Sequence, residues 1–477
     1  MTRLRKSAAV FSIFVAENGP CNEGSSTLHC KEVCTMKSQV IAVSTLLKTV
    51  IRDLERNKDR FIQSPGKDFS RQRKLNFTSV VSVLLSMSGG STSDSLLDYF
   101  KFDPATATTS AFVQQRSKLK PEAMEYLLQR FAQEAPALKT VFGYRLLAID
   151  GSDLQIFANP TDKMSYYPGT NGQKPYSLLH LNALFDLENR IYTDALVQKS
   201  RQLNEHKALA ELVDRSRIKN AILIADRGYE GYNNLAHLQE KGWKYLIRIK
   251  DGQNGIACGF DLPEKDEFDV SFDLQLTYRQ TRDVQALCAG DHNRYRWISH
   301  SVHFDYLQPK SRKHDPIVFY PLSFRIIRFQ LTPSSFETVI TNLNADTFPP
   351  AQIKLLYARR WGIETSFRQL KYTVGLVHFH AKKADHIFQE IFAALIMYNF
   401  TELITLSVVI QKRNTKYSYS VNFSAAVHIC RNFFLGNVSP PHLEALLSRL
   451  LLPIRPGRSN SRNLVVRPSF SFLYRVA

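Results

Sequence analysis

Between residues 37 and 135, apolar side chains recur three and four positions apart, the period of a helix with one buried face. The pattern predicts helices over Val40–Arg56, Phe77–Ser86, Asp94–Tyr99 and Pro121–Gln133, separated by turn signals such as Ser64-Pro-Gly66 and Ser88-Gly-Gly90. From residue 143 the period falls to two. Tyr144–Ile149, Ser177–Phe185 and Arg190–Leu196 read as strands, and Asn204–Arg215 as a helix with Asn204 as its cap. Ala221–Ala225 is apolar throughout, as a strand buried on both faces requires. Short β-type runs follow up to residue 345: Tyr245–Ile249, Tyr295–Ser299, Ile317–Leu322, Phe324–Leu331 and Thr338–Thr341. Pro350–Lys371 returns to helix. Ile387–Ile410 is strongly apolar, but Gln389, Glu390, Asn399 and Glu402 interrupt it, so it reads as a buried core helix, not a membrane span.

A chain of 477 residues is too long for one simple core. The pattern divides it into a leader (1–36), a helical domain (37–140), the first part of an α/β core (141–232), a β-rich insertion (233–348), the second part of the core with C-terminal helices (349–448) and a basic tail (449–477). Lys and Arg outnumber Asp and Glu by 62 to 43, a formal charge of +19. Such an excess attracts polyanions, nucleic acid or an anionic membrane surface, and charge alone does not choose between them. Basic residues gather between the early helices (Lys67, Arg71, Arg73, Lys74, then Arg116, Lys118 and Lys120), so the helical domain reads as DNA-binding or as a packing module. Six cysteines are no disulfide framework at this length. Cys21, His29, Cys30 and Cys34 have only a loose zinc-like spacing and read as incidental thiols. Met1–Lys6 and Ala8–Ala16 imitate a signal peptide without a good cleavage pattern, and a true start at Met36 is an equal reading.

The chemistry concentrates in three places. Tyr357, Arg360, Glu364 and Lys371 follow the spacing Y-x2-R-x3-E-x6-K, which puts them within roughly 60° of one another on a helix. One carboxylate in a stripe with two cations and a phenol suits a site that binds a metal ion and a polyanion together. Two further carboxylates close apolar strands: Asp150 in Ala148-Ile-Asp-Gly-Ser-Asp-Leu154, and Asp226 in Ile224-Ala-Asp-Arg-Gly-Tyr229. Asp153 competes with Asp150. If the strand continues, alternation puts the two on opposite faces, and Asp150 directly follows the apolar run. Carboxylates on neighbouring strands, with a third from a packed helix, can hold a pair of divalent cations about 3.5–4 Å apart for in-line phosphoryl displacement. Oxygen-only ligands favour Mg2+ or Mn2+ over zinc.

These motifs, in this order, resemble the bacterial DDE transposases of the insertion-sequence-four family over roughly residues 60–470. The resemblance implies an RNase H-like catalytic core with a β-rich insertion before the glutamate. It implies Asp150, Asp226 and Glu364 as catalytic metal ligands for Mg2+, with Mn2+ as a substitute. Tyr357, Arg360 and Lys371 match the positions that bind DNA phosphates. Trp361 reads mainly as helix packing, and Trp297 as core of the β-rich segment in preference to a base-stacking role. The implied partners are double-stranded DNA, both element-end repeats and target, with a dimer on paired ends. The implied location is the cytoplasm at the nucleoid, with no membrane. A catalytically silent DNA-binding relic and an RNase H-like nuclease are the alternatives. Glu205 reads as helix capping, with assistance to the site as a second role for it and His206.

Overall fold

The computed structural model describes residues 27–136, 138–169, 174–251, 255–308, 316–408 and 417–454, with side chains from residue 39. The signal-like start and residues 455–477 of the basic tail lie outside them, as does Cys21. Cys30 and Cys34 precede the described side chains. Five helices come first: α1 (Thr27–Arg56), α2 (Phe77–Ser86), α3 (Thr92–Tyr99), α4 (Thr109–Arg116) and α5 (Glu122–Gln133). The first begins well before the predicted Val40, and α4 was not expected. Local capping fixes their starts. Asn76 accepts from the Ser79 amide, Ser91 and Asp94 form a reciprocal capping box, and Thr108 accepts from Ala111.

The α/β part is built on one mixed sheet of ten strands. Its first strands are β1 (Arg145–Ile156), β2 (Tyr166–Tyr167), β3 (Tyr176–Asp186) and β4 (Ile191–Lys199). Then come α6 (Glu205–Arg215), β5 (Ala221–Ala225), α7 (Tyr232–Glu240) and β6 (Lys244–Arg248). β3 runs antiparallel to β1 and β4 antiparallel to β3, while β5 is parallel to β1 and β6 parallel to β5. The β-rich segment supplies β7 (Phe268–Thr277), α8 (Arg282–Gly290), β8 (Tyr295–Trp297), β9 (Tyr320–Thr332) and β10 (Ser335–Thr341). Its strands extend the same sheet, in the order β6-β10-β9-β7-β8. The two runs predicted at 317–322 and 324–331 are one strand, β9, and β7 was missed.

The signature segment departs from the single helix that the spacing suggested. It forms α9 (Pro350–Ala358), a break at Arg359–Arg360, α10 (Trp361–Gln369) and a π-helical turn over Leu370–Val374. The predicted core helix is α11 (Ala384–Thr405), followed by β11 (Ser418–Val421), α12 (Phe423–Phe434), α13 (Pro440–Arg449) and β12 (Leu451–Ile454). Among the described residues α11 alone is long and apolar enough to cross a membrane, and nearly all of it is buried inside the protein.

The sheet separates two packing faces. Leu147 and Ile149 of β1 face α6 and α7, while Leu146 and Ala148 face the other side. On that other side, α1, α2, α5, α11 and α12 share a continuous apolar core with β3 and β4. A buried polar tie reinforces it. Arg116 is 2% exposed and donates to Gln389 Oε1, to Glu390 Oε1 at 2.9 Å and to the His386 carbonyl. Arg116, expected among the basic residues of the connectors, is therefore an internal ion-pair residue. Lys74 likewise spends its ammonium on the Ala105 carbonyl at 2.6 Å.

Candidate active site

Strand pairing delivers the two aspartates. β1 and β5 pair in parallel with Leu146 level with Ile222 and Ala148 level with Ile224. Two residues further on, the same register sets Asp150 level with Asp226, on strands about 4.8 Å apart. Both continue the side of the sheet that Leu146, Ile222 and Ile224 occupy, where Ile353, Leu356 and Tyr357 of α9 pack. Asp226 follows the end of β5. Asp150 does not end its strand, because β1 continues to Ile156. That continuation sends Asp153 to the opposite face, where its Oδ1 lies 2.7 Å from His180 Nδ1.

The break between α9 and α10 places Arg360 and Glu364 over this end of the sheet. Arg360 is 5% exposed, its Nη1 donates to Glu364 Oε1 at 2.9 Å, and its guanidinium lies over the half-buried Trp361 ring at 4.6 Å. Burial opposes its charge, but Tyr357 and the carboxylates of Asp226, Glu364 and Asp150 outweigh that and hold the guanidinium above its ordinary value. Burial pushes Asp150 up to about 6. The Gly151 amide and Arg360 pull it down, and Glu364 and Asp226 push it further up. Asp150 thus feels the charges of Glu364 and Asp226 directly, and all three carboxylates face one arginine. Among the described residues, however, no three His, Cys, Asp or Glu side chains converge closely enough to enclose a metal ion as they stand.

Tyr357 is 4% exposed, its hydroxyl has no hydrogen-bond partner, and burial raises its pKa. Tyr357 and Arg360 are therefore no solvated stripe. Lys371 lies on the π-helical turn and donates to the Asp153 carbonyl at 2.6 Å, while burial lowers its pKa. α10 is fixed from behind: the Tyr192 hydroxyl of β4 lies 2.8 Å from Ser366 Oγ, and Tyr398 of α11 donates to Gln369. Asn399 of α11 bonds both the amide and the carbonyl of Tyr192.

Two nearby side chains carried no local sequence signal. Arg248, at the end of β6, has its Nη1 3.9 Å from Asp226 Oδ1 and 3.5 Å from Glu337 Oε1 on β10. Only the pairing of β6 with β5 and β10 brings these groups to the aspartates. Trp297 is 44% exposed on β8, so it is not the core residue that was expected.

The transposase DDE domain family matches residues 141–400, a span that contains Asp150, Asp226 and Glu364. The chain is 22% identical over 299 residues to the transposase InsG for insertion sequence element IS4 of Escherichia coli (strain K12). That match covers 61% of this chain and 59% of the relative, so it spans little more than half the relative's length. The piggyBac transposase, solved by cryo-EM as a synaptic complex with hairpin DNA, aligns with a TM-score of 0.40 at 12% identity, covering 88% of this chain and 84% of that one. With a match over more than half of its length, the chain belongs to the DDE transposase family.

Proposed function

We propose that this protein cuts DNA strands at the ends of an insertion sequence and joins the 3′ ends to target DNA, using Asp150, Asp226 and Glu364 as the ligands of Mg2+ or Mn2+. The observation that carries this reading is the parallel register that levels Asp150 with Asp226 beneath the helix bearing Glu364. The strand order β4-β3-β1-β5-β6, with the first three antiparallel and the last two parallel additions, supports an RNase H-like core.

The side chains fit a divalent cation by three criteria. The donor set is all oxygen. Asp226 Oδ1 is buried without a hydrogen-bond partner. Asp150 is held up by burial, as a carboxylate awaiting a counter-charge would be. A bound divalent cation supplies Lewis-acid stabilisation of the phosphoryl oxygens and activates the attacking oxygen. The protein's own part is positioning. The sheet sets the depth of the two aspartates, and Tyr192 and Asn399 lock α10 in place. Arg360 neutralises the carboxylates and donates to Glu364 Oε1, whose carboxylate would join the two aspartates in holding the cation. Arg360, Tyr357 and Lys371 then meet backbone phosphates, the arginine by its planar fork and the lysine as a point charge. The carriers of specificity are the DNA-end repeats, held by two copies of the chain on paired ends.

Asp226→Ala and Glu364→Ala are expected to abolish Mg2+-dependent strand cleavage while DNA affinity in a gel-shift titration stays within about threefold of wild type. Normal cutting by either variant would remove that residue from the chemistry. Cleavage without strand-transfer products would favour a nuclease.

A further inference from the structure

On the far side of the two aspartates a second set of side chains meets the backbone. There the tip of α6 sits against the stretch of β1 after Asp150 and near the turn after Asp226. Glu205 Oε1 lies 2.8 Å from where a Cβ on Gly151 would stand, and its Oε2 lies 3.6 Å from the same point on Gly228. His180 Nε2 lies only 2.2 Å from the Gly151 point. One carboxylate therefore closes on the residue after Asp150 and lies near the turn after Asp226, and no side chain fits at Gly151 while His180 stays in place, whereas Gly228 has room for a methyl group. His206, next on α6, has its Cε1 3.4 Å from where a Cβ on Gly231 would stand, and its Nδ1 lies 2.8 Å from the side-chain Nδ2 of Asn234.

His180 is itself held from two sides. Its Nδ1 lies 2.7 Å from Asp153 Oδ1, and its Nε2 lies 3.3 Å from Glu205 Oε1, within ion-pair range but without hydrogen-bond geometry. The carbonyl of the same Asp153 receives Lys371 at 2.6 Å. The tip of α6 is fixed in turn, because the Asn204 amide donates to Gln198 Oε1 on β4 and Asn204 accepts from the Lys207 amide.

We propose that Glu205 and His180 are positioning residues that set the placement of Asp150 relative to Asp226 by bracing Gly151 from the face opposite the metal ligands. This rests on the two aspartates holding a divalent cation. Second-layer partners of metal ligands typically govern about 10- to 100-fold in metal affinity. Glu205→Gln keeps the shape and removes the charge, and Gly151→Ala drives a methyl group into His180.

The test titrates Mn2+ calorimetrically into the full-length protein without DNA, and follows the Mn2+ dependence of strand nicking. Wild type is compared with Glu205→Gln, Gly151→Ala and Asp226→Ala. The expected result is a rise of about tenfold or more in the Mn2+ half-saturation of both bracing variants. Their nicking rate recovers to within about twofold of wild type at saturating Mn2+, and Tm moves little. Should Gly151→Ala fail to fold, Glu205→Gln carries the test. An unchanged half-saturation in the folded variants would overturn the proposal. So would a rate loss at every Mn2+ concentration together with a fall in Tm, which marks a merely structural role. If wild type and Asp226→Ala bind Mn2+ alike, the metal-site reading fails, and the brace fails with it.

Discussion

Arg360 is the residue on which the site balances. A buried guanidinium at 2.9 Å from Glu364, coupled to Asp150 and Asp226, is the counter-charge that lets three carboxylates share one end of the sheet. Arg360→Gln is expected to lower Tm in the presence of chelator. Saturating Mn2+ should restore more of the variant's Tm than it adds to wild type, because the metal replaces the missing charge. Equal Mn2+ increments in the two proteins would contradict this role. At this scale the sequence was partly readable. Strand alternation separated Asp150 from Asp153, and the structure puts them on opposite faces, Asp153 against His180. Arg248 and Glu337 were invisible, since each reaches Asp226 or its neighbours only through strand pairing across long chain separations. The exposure of Trp297 was misjudged because a tryptophan in an alternating run looks the same in a core and at an edge.

The elements follow their sequence patterns where the periodicity is strong. Phe77–Ser86 and Ala221–Ala225 form with the bounds that their apolar spacing sets. α4 escaped because Ala111, Phe112 and Val113 form one short apolar patch with no repeat, and its burial comes from tertiary packing. β7 carries a plain alternation over Phe268–Thr277, short of the strongly apolar runs that mark the buried strands. The break at Arg359–Arg360 has no proline to announce it. α11 holds the clearest element-scale consequence. Burial pushes Glu402 up to about 7, against the pull of Arg190, Thr405 and Tyr398. A buried acid with a raised pKa stabilises the fold fully below its unfolded value of 4.5. That contribution is lost as pH rises through about 7. Glu402→Gln should therefore raise Tm at pH 8 more than at pH 5, by an amount on the order of 3 kcal/mol in the stability difference. Parallel Tm–pH curves for the two proteins would show that Glu402 is not the group responsible.

On the scale of the whole molecule, the N-terminal helices and the core are one packed body. α1, α2 and α5 share their apolar core with α11, and Arg116 reaches Glu390 at 2.9 Å inside it. Arg116→Ala leaves the buried Glu390 without its arginine and with His380 beside it, and should cost roughly 3–5 kcal/mol, read as a lower urea midpoint. Loss of under about 1 kcal/mol would mean that the pair is not buried in solution. Composition foretold a polyanion partner through the +19 charge, but not which cations are spent internally, because burial is decided by contacts between residues some 270 positions apart. The proposed cutting of DNA at the ends of an insertion sequence by Asp150, Asp226 and Glu364 is tested most directly on a DNA fragment carrying this gene's own flanks, incubated with protein and Mg2+, wild type beside Glu364→Gln, with nicks mapped to the nucleotide. Nicks at the edge of a terminal repeat, present with wild type and absent with Glu364→Gln, are the predicted result. Binding of the flanks without nicks in either Mg2+ or Mn2+, or nicks that persist in Glu364→Gln, would contradict it.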